Sequence, residues 1–362
     1  MNSRAAGDGM RGRSGLVART WGVAAALGLL AVTACGRESA TAMQDARLSP
    51  RPVDPASVTV SGASAGGYMA GQFHVAHSAL VQGAAIIAAG PYRCAEGSLR
   101  HGLGRCMKGD EEIPTARLLE ETSRLALDGA IDPIAGLADD RVWIFHGAAD
   151  PFVGVAVADA LETYYQALVM PGAVVRVEHP QAGHTFPTAD ATAPACTAVE
   201  EPYVGNCGLD GARALLGHLY GELADGRTPR PAGLIEFDQR PYAATAGSAG
   251  LADRGWLFVP EDCEAGAETR CRLHVVFHGC KQGGSFIGDA FIRRSGFLEV
   301  AEANRIVLLF PQVQPSFQPL NPNGCWDWWG YEGEDYATRS APQMKAVRAM
   351  VGDLLGEARV AP

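Results

Sequence analysis

A serine, an aspartate and a histidine stand in this chain where together they could carry covalent acyl chemistry. Residues 58–70 read Val-Thr-Val-Ser-Gly-Ala-Ser-Ala-Gly-Gly-Tyr-Met-Ala. An alternating β-branched run ends there in Gly62-x-Ser64-x-Gly66, and a small-residue stretch suited to a helix follows. A strand, a sharp turn and a helix with serine at the apex make a nucleophile elbow, whose flanking positions must be small for the turn to close. The helix aims its free N–H groups at the spot where negative charge would develop. A serine hydroxyl alone is a poor nucleophile. It needs a histidine to take its proton and return it to the leaving group. It also needs an acid to fix the imidazole tautomer and stabilise the imidazolium.

Both partners follow in order. The run Val142-Trp-Ile-Phe145 leads into His146-Gly-Ala-Ala-Asp150-Pro151, and the run 174–178 leads into His179-Pro-Gln-Ala-Gly-His184. Asp150 and His184 thus fall just past strand ends, where open α/β sheets carry their chemistry. Ser…Asp…His is the order of an α/β-hydrolase triad. Asp132 is a nearby acid, whereas Asp139 and Asp140 precede their strand, at the wrong end. His146 and His179 rival His184, but the preceding Gly183 lets the loop bring the His184 ring over the serine. The N–H of Ala65, the residue after the serine, is one oxyanion donor. The second normally comes from a His-Gly loop on a strand that precedes the serine, and nothing upstream of Ser64 supplies one. The loop that fits is His278-Gly-Cys-Lys-Gln282, more than 200 residues downstream.

These positions require a sheet. Short apolar runs at 58–61, 84–88, 142–145, 174–178, 255–259, 273–277 and 306–310 read as strands. Helical stretches fall at 66–78, 115–127, 155–168, 212–223, 286–303 and 341–357. The alternation predicts an α/β fold with a mostly parallel sheet and helices on both faces. Moving the segment 256–355 ahead of Val58 restores the ordinary hydrolase order, oxyanion loop first and elbow after. The chain is therefore expected to be circularly permuted, cut just before the nucleophile strand, with the region around Pro55 close to Pro362.

The N-terminus reads as an address. Arg4, Arg11, Arg13 and Arg19 precede a short apolar run, 23–34, that ends Val32-Thr-Ala-Cys35. Small residues before a cysteine resemble a lipobox, so residues 1–35 are expected to be a lipoprotein-type signal with Cys35 lipidated. The mature chain would be exported, either anchored at the outer membrane or secreted. Residues 36–57 lack periodicity and read as a tether, and 58–362 as one catalytic domain. Losing residues 1–34 removes four Arg and one Asp and moves the net charge from −10 to −13. An acidic, unpatterned surface argues against nucleic acid as a partner. Eight further cysteines, Cys94, Cys106, Cys196, Cys207, Cys263, Cys271, Cys280 and Cys325, read as disulfides in an exported chain. Eight cysteines allow 105 connectivities; pairing each with its nearest neighbour gives 94–106, 196–207, 263–271 and 280–325. No C-x-x-C pair supports a zinc site.

Three segments together carry a resemblance: Ser61-Gly-Ala-Ser-Ala-Gly-Gly-Tyr-Met-Ala70, His278-Gly-Cys-Lys-Gln282 and Asn321-Pro-Asn-Gly-Cys-Trp-Asp-Trp-Trp-Gly330. They resemble single-domain poly(3-hydroxybutyrate) depolymerases, in the permuted branch whose nucleophile lies near the mature N-terminus, over essentially all of 55–360. The resemblance implies an extracellular serine esterase that cuts polyester bonds with no metal or organic cofactor. It implies Ser64, Asp150 and His184 as the triad and the N–H groups of Ala65 and Cys280 as the oxyanion hole. The apparent lipid anchor departs from released depolymerases and points towards soluble oligomers or polymer lying against the cell. Half of the six tryptophans are Trp326, Trp328 and Trp329. Three rings in four residues cannot all face one core, so they are expected to touch an apolar polyester substrate. A monomer is expected. Another exported serine hydrolase on the same scaffold, such as a feruloyl or acetyl-xylan esterase or a peptidase, is the alternative.

Overall fold

A computed structural model describes residues 47–248, 250–267 and 269–358, which belong to one compact unit spanning 43–362. The signal segment, Cys35, residues 36–46 and Pro362 lie outside the described residues.

The strands are β1 (Val53–Ala63), β2 (Val81–Ile87), β3 (Arg141–Gly147), β4 (Val174–His179), β5 (Phe186–Thr188), β6 (Val204–Asn206), β7 (Leu234–Asp238), β8 (Arg254–Phe258), β9 (Cys271–Phe277) and β10 (Ile306–Phe310). Helices of eight residues or more are α1 (Ala65–Ala76), α2 (Thr115–Leu127), α3 (Val155–Gln166), α4 (Gly211–Tyr220), α5 (Phe297–Asn304) and α6 (Pro342–Leu355). Eight strands form one sheet in the order β4-β3-β2-β1-β9-β10-β8-β7, and β5 pairs with β6 apart from it. All neighbours from β4 to β10 are parallel, and β8 runs against both β10 and β7.

Strand alternation sends side chains to two cores. Val58, Val60, Ile86, Ile144, Val275 and Phe277 meet α1, α2, α3 and α6 on one face. Ile87, Trp143, Phe145, Val276 and Leu308 meet α4 and α5 on the other. That second face also buries polar groups where β1 and β9 meet. His274 Nδ1 lies 2.7 Å from Thr59 Oγ1 and its Nε2 lies 2.8 Å from Ser61 Oγ. Thr59 Oγ1 donates to the Tyr220 hydroxyl at 2.6 Å. Burial holds His274 neutral, its pKa lowered to about 3.

β9 lies directly beside β1 in parallel register, Gly62 opposite Phe277. The late His-Gly loop therefore emerges next to the elbow at the carboxyl edge of the sheet, as a permuted hydrolase requires. The two ends of the described chain also meet: Arg51 N–H donates to Leu354 O at 2.9 Å, and Arg47 pairs with Asp353 at 2.8 Å.

Five segments differ from the sequence reading. Residues 47–57 are not a free tether. Leu48 is buried, its N–H bonds the Tyr242 hydroxyl, and β1 begins at Val53. The long helix expected over 286–303 is three pieces, Gly284–Ile287, Ala290–Arg294 and α5. Gly288 (φ 60°) and Gly296 (φ 86°) break it in left-handed conformations that glycine alone takes cheaply. Strand β7 was not legible, because at the sheet edge only Phe237 of its five residues is buried. β5 and β6 are too short for periodicity to register.

Candidate active site

Ser64 sits at the apex between β1 and α1 with φ 56° and ψ −122°. This left-handed backbone is uncommon for a residue with a side chain and costs of order 1 kcal/mol. It persists because the turn is over-determined. Ser64 N–H donates to Ile87 O at 2.8 Å. A Cβ on Gly62 would lie 2.0 Å from Gly66 O, and one on Gly66 would lie 2.2 Å from Phe277 O. Both glycines are therefore sterically required, the second because α1 begins against the end of β9.

The acid follows β3 and the histidine follows β4. The two loops touch: a Cβ on Gly147 would lie 2.3 Å from Ala182 O, and Ala149 N–H donates to Ala182 O at 3.1 Å. His184 Nδ1–H donates to Asp150 Oδ2 at 2.7 Å, which leaves Nε2 as the basic nitrogen. The other carboxylate oxygen accepts from Phe152 N (2.8 Å) and Val153 N (3.0 Å). Burial pushes the Asp150 carboxyl up. The bond and charge of His184 and the two backbone donors outweigh it, so Asp150 stays below its ordinary range and ionised. Phe152 packs edge-on against His184 at 5.3 Å. Behind the histidine, Gly183 N–H donates to Cys196 O at 2.9 Å, so the Cys196–Cys207 disulfide and the β5–β6 pair brace this loop.

The rival side chains are engaged elsewhere. His146 bonds Val153 O at 3.0 Å, Asp140 pairs with buried His74 at 2.9 Å, Asp132 pairs with Arg339, and Asp139 is exposed. His179 Nδ1 lies 3.6 Å from Cys196 Sγ. His179, Cys196 and Cys207 form the one grouping of potential metal ligands among the described residues, and the disulfide uses both sulfurs.

In the His-Gly loop, Gly279 N–H donates to Gln282 Oε1 at 2.8 Å and Lys281 N–H donates to Asn323 O at 2.7 Å. The Cys280 N–H between them has no protein acceptor among the described residues. His278 is neutral, its pKa lowered to about 4 by burial. It donates from Nδ1 to Gly279 O and accepts from Val313 N at Nε2. Gln282 also donates to Pro202 O and Tyr203 O at 3.2 Å, so its amide braces the loop. The disulfides are Cys94–Cys106, Cys196–Cys207, Cys263–Cys271 and Cys280–Cys325, the nearest-neighbour set. The last ties the His-Gly loop to the tryptophan segment.

Ser64, His184, Gly279, Cys280, Trp328 and Trp329 line one cavity of about 650 Å³ with mostly apolar walls. Trp328 stacks on Tyr68 with centroids 4.3 Å apart, and Trp329 meets Trp328 edge-on at 5.4 Å. Trp326 corrects the sequence reading. It is fully buried, packs against Phe277 and His278, and does not line the cavity. The chain bends at 327–329 around the Asp327 carboxylate, so Trp328 and Trp329 leave the layer in which Trp326 packs.

No protein-family model matches the chain. It is 34% identical over 319 residues to the polyhydroxybutyrate depolymerase of Talaromyces funiculosus, covering 84% of this chain and 91% of that one. The chain belongs to the polyhydroxybutyrate depolymerase family. It is also 42% identical over 302 residues to the poly(3-hydroxybutyrate) depolymerase of Delftia acidovorans, and spans 60% of that relative's length. The PHB depolymerase from Penicillium funiculosum has a similar structure, with TM-score 0.79 and 32% identity over 86% of this chain and 99% of that one. A serine-to-alanine PHB depolymerase complexed with an R3HB trimer matches with the same score and coverage.

In this depolymerase-family chain the sequence reading passed over part of the cavity wall. Leu99, Leu103 and Met107 come from a short helical segment clipped by Cys94–Cys106. Phe152, Tyr203 and Leu320 come from loops. The available signal was Leu99 and Leu103 at helical spacing inside a small disulfide loop that can bury little. Leu99, Leu103, Phe152 and Leu320 are all exposed at the cavity. Four disulfides fit an exported protein.

Proposed function

We propose that this chain is an exported serine esterase that hydrolyses the ester bonds of poly(3-hydroxybutyrate) or its oligomers. Ser64 Oγ attacks the ester carbonyl while His184 Nε2 takes its proton. The N–H groups of Ala65 and Cys280 receive the oxyanion, and α1 adds the favourable field of its N-terminus. Collapse expels the hydroxyl end of the chain, which leaves with the proton from His184. Water then repeats the sequence on the acyl-enzyme. Asp150 holds the tautomer and faces the imidazolium throughout.

The observation that carries this reading is the Asp150–His184 bond on the same apolar cavity as a strained Ser64 elbow. Apolar walls with a few polar groups suit an ester chain of methyls and carbonyls, and the family membership favours hydroxybutyrate units. The exposed apolar rim offers contact with a solid polymer. Trp328 and Trp329 form the substrate wall. The enzyme acts as a monomer, anchored through an acylated Cys35; intact mass of the protein from its exporting cell checks both.

The test offers amorphous poly(3-hydroxybutyrate), its trimer, a feruloyl ester and a peptide amide to the wild type and to Ser64→Ala. Release of hydroxybutyrate or its dimer by the wild type only is expected, with turnover down by several orders of magnitude in the variant. Activity confined to the feruloyl ester or the amide keeps the serine mechanism and overturns the substrate.

A further inference from the structure

We propose that Lys281 binds the free carboxylate at the end of a soluble oligoester and makes the site selective for short chains with an acid terminus. The inference rests on the ester-hydrolase reading above. Among the described residues that line the cavity there is no aspartate or glutamate, and Lys281 is the one lysine or arginine. Lys281 directly follows Cys280, whose N–H is the proposed oxyanion donor, so one loop would place both the reacting carbonyl and the ammonium. That loop is pinned before the lysine side chain's root, by Lys281 N–H to Asn323 O at 2.7 Å and the Cys280–Cys325 disulfide, and after it by the bonded amide of Gln282.

Two further features single out the side chain. Lys281 has φ 58°, in the left-handed region where glycine or asparagine sits at lower cost. A lysine kept there is accounted for if its side chain has a task. It is also exposed and has no carboxylate partner among the described residues. An ammonium can donate a hydrogen bond to an ester carbonyl or to a carboxylate, but only the carboxylate adds the Coulomb attraction of an opposite charge. An oligomer of a hydroxy acid carries one carboxylate, at its acid end, whereas the interior of a long polymer carries none. The chain bears a net charge of −10, which repels an anionic oligomer from afar. A cation at the cavity offsets that repulsion within about one Debye length, roughly 8–10 Å at physiological salt.

The experiment compares kcat/KM of the mature protein on the hydroxybutyrate trimer as free acid and as methyl ester, at low and high salt. The methyl ester reports folding and chemistry, and the acid-to-ester ratio reports carboxylate recognition. Lys281→Gln should lower that ratio about three- to tenfold, Lys281→Arg should keep it, and Lys281→Glu should lower it further. In the wild type the ratio should fall with added salt. A ratio unmoved by Lys281→Gln while both trimers are still turned over overturns the proposal. Failure of the wild type on both trimers overturns instead the ester-hydrolase reading beneath it.

Discussion

Ser64, Asp150 and His184 illustrate how separate constraints converge on single side chains. The elbow geometry follows from two glycines whose Cβ positions are occupied by backbone oxygens. The acid is ionised because a histidine and two backbone donors outweigh its burial. Asp150→Asn keeps the shape but gives His184 a partner that favours the wrong tautomer. It should lower kcat about 10³- to 10⁴-fold, read as initial rates on the trimer, with unchanged thermal stability within about 1 kcal/mol. Loss of less than tenfold would mean that another acid serves His184. These three positions were legible in the sequence as the proposed triad because each lies within a few positions of a strand end. Trp326 was misjudged, since which side of a loop a ring faces is decided by what it packs on.

At the scale of the element, the tryptophan segment is organised by Asp327. Its carboxylate accepts from Gly330 N and Tyr331 N at 2.7 and 2.9 Å and from Glu332 N at 2.8 Å. Asn321 clamps the start of the segment through Cys325 N and O. The turn thereby presents Trp328 and Trp329 to the cavity. Removing the carboxylate in Asp327→Ala leaves three part-buried donors without their acceptor, at about 1 kcal/mol each. We expect KM for the trimer to rise about tenfold or more, with a smaller effect on a two-carbon acyl ester that is too short to reach the wall. Equal losses on both substrates would instead mark a general folding defect. None of this was readable beforehand, because a string such as Trp-Asp-Trp-Trp does not say which backbone groups its aspartate will meet.

The whole molecule adds two expectations. His77, His274 and His278 are buried and held neutral, with pKa values lowered to about 3, 3 and 4. In the unfolded chain they take protons near 6.5. The stability they contribute is whole above about pH 6.5 and is lost as pH falls towards the folded values. Asp327, whose pKa burial raises to about 6, and Glu299, whose carboxyl burial also raises, oppose this because their penalties ease on acidification, but they are two groups against the three histidines and His218, which burial also lowers. The thermal midpoint should therefore fall between pH 7 and pH 4, and a flat or rising profile would contradict the account. The second expectation concerns connectivity. Because Arg51 bonds Leu354, joining residue 358 to residue 47 by a short linker and opening the exposed loop between Asp225 and Gly226 should give the ordinary strand order in a folded, active enzyme. An insoluble or inactive product would show that the present cut is needed for folding. By itself the sequence determined the α/β class, the elbow, the Ser…Asp…His order and the permuted connectivity, because periodicity, tight turns and strand ends are local matters. The tertiary structure alone decided which tryptophans face the cavity, where the long helix breaks, and how residues 47–57 join the sheet. It also placed Lys281 on the cavity wall. Those outcomes depend on contacts between segments far apart in the chain, and only packing brings such segments together.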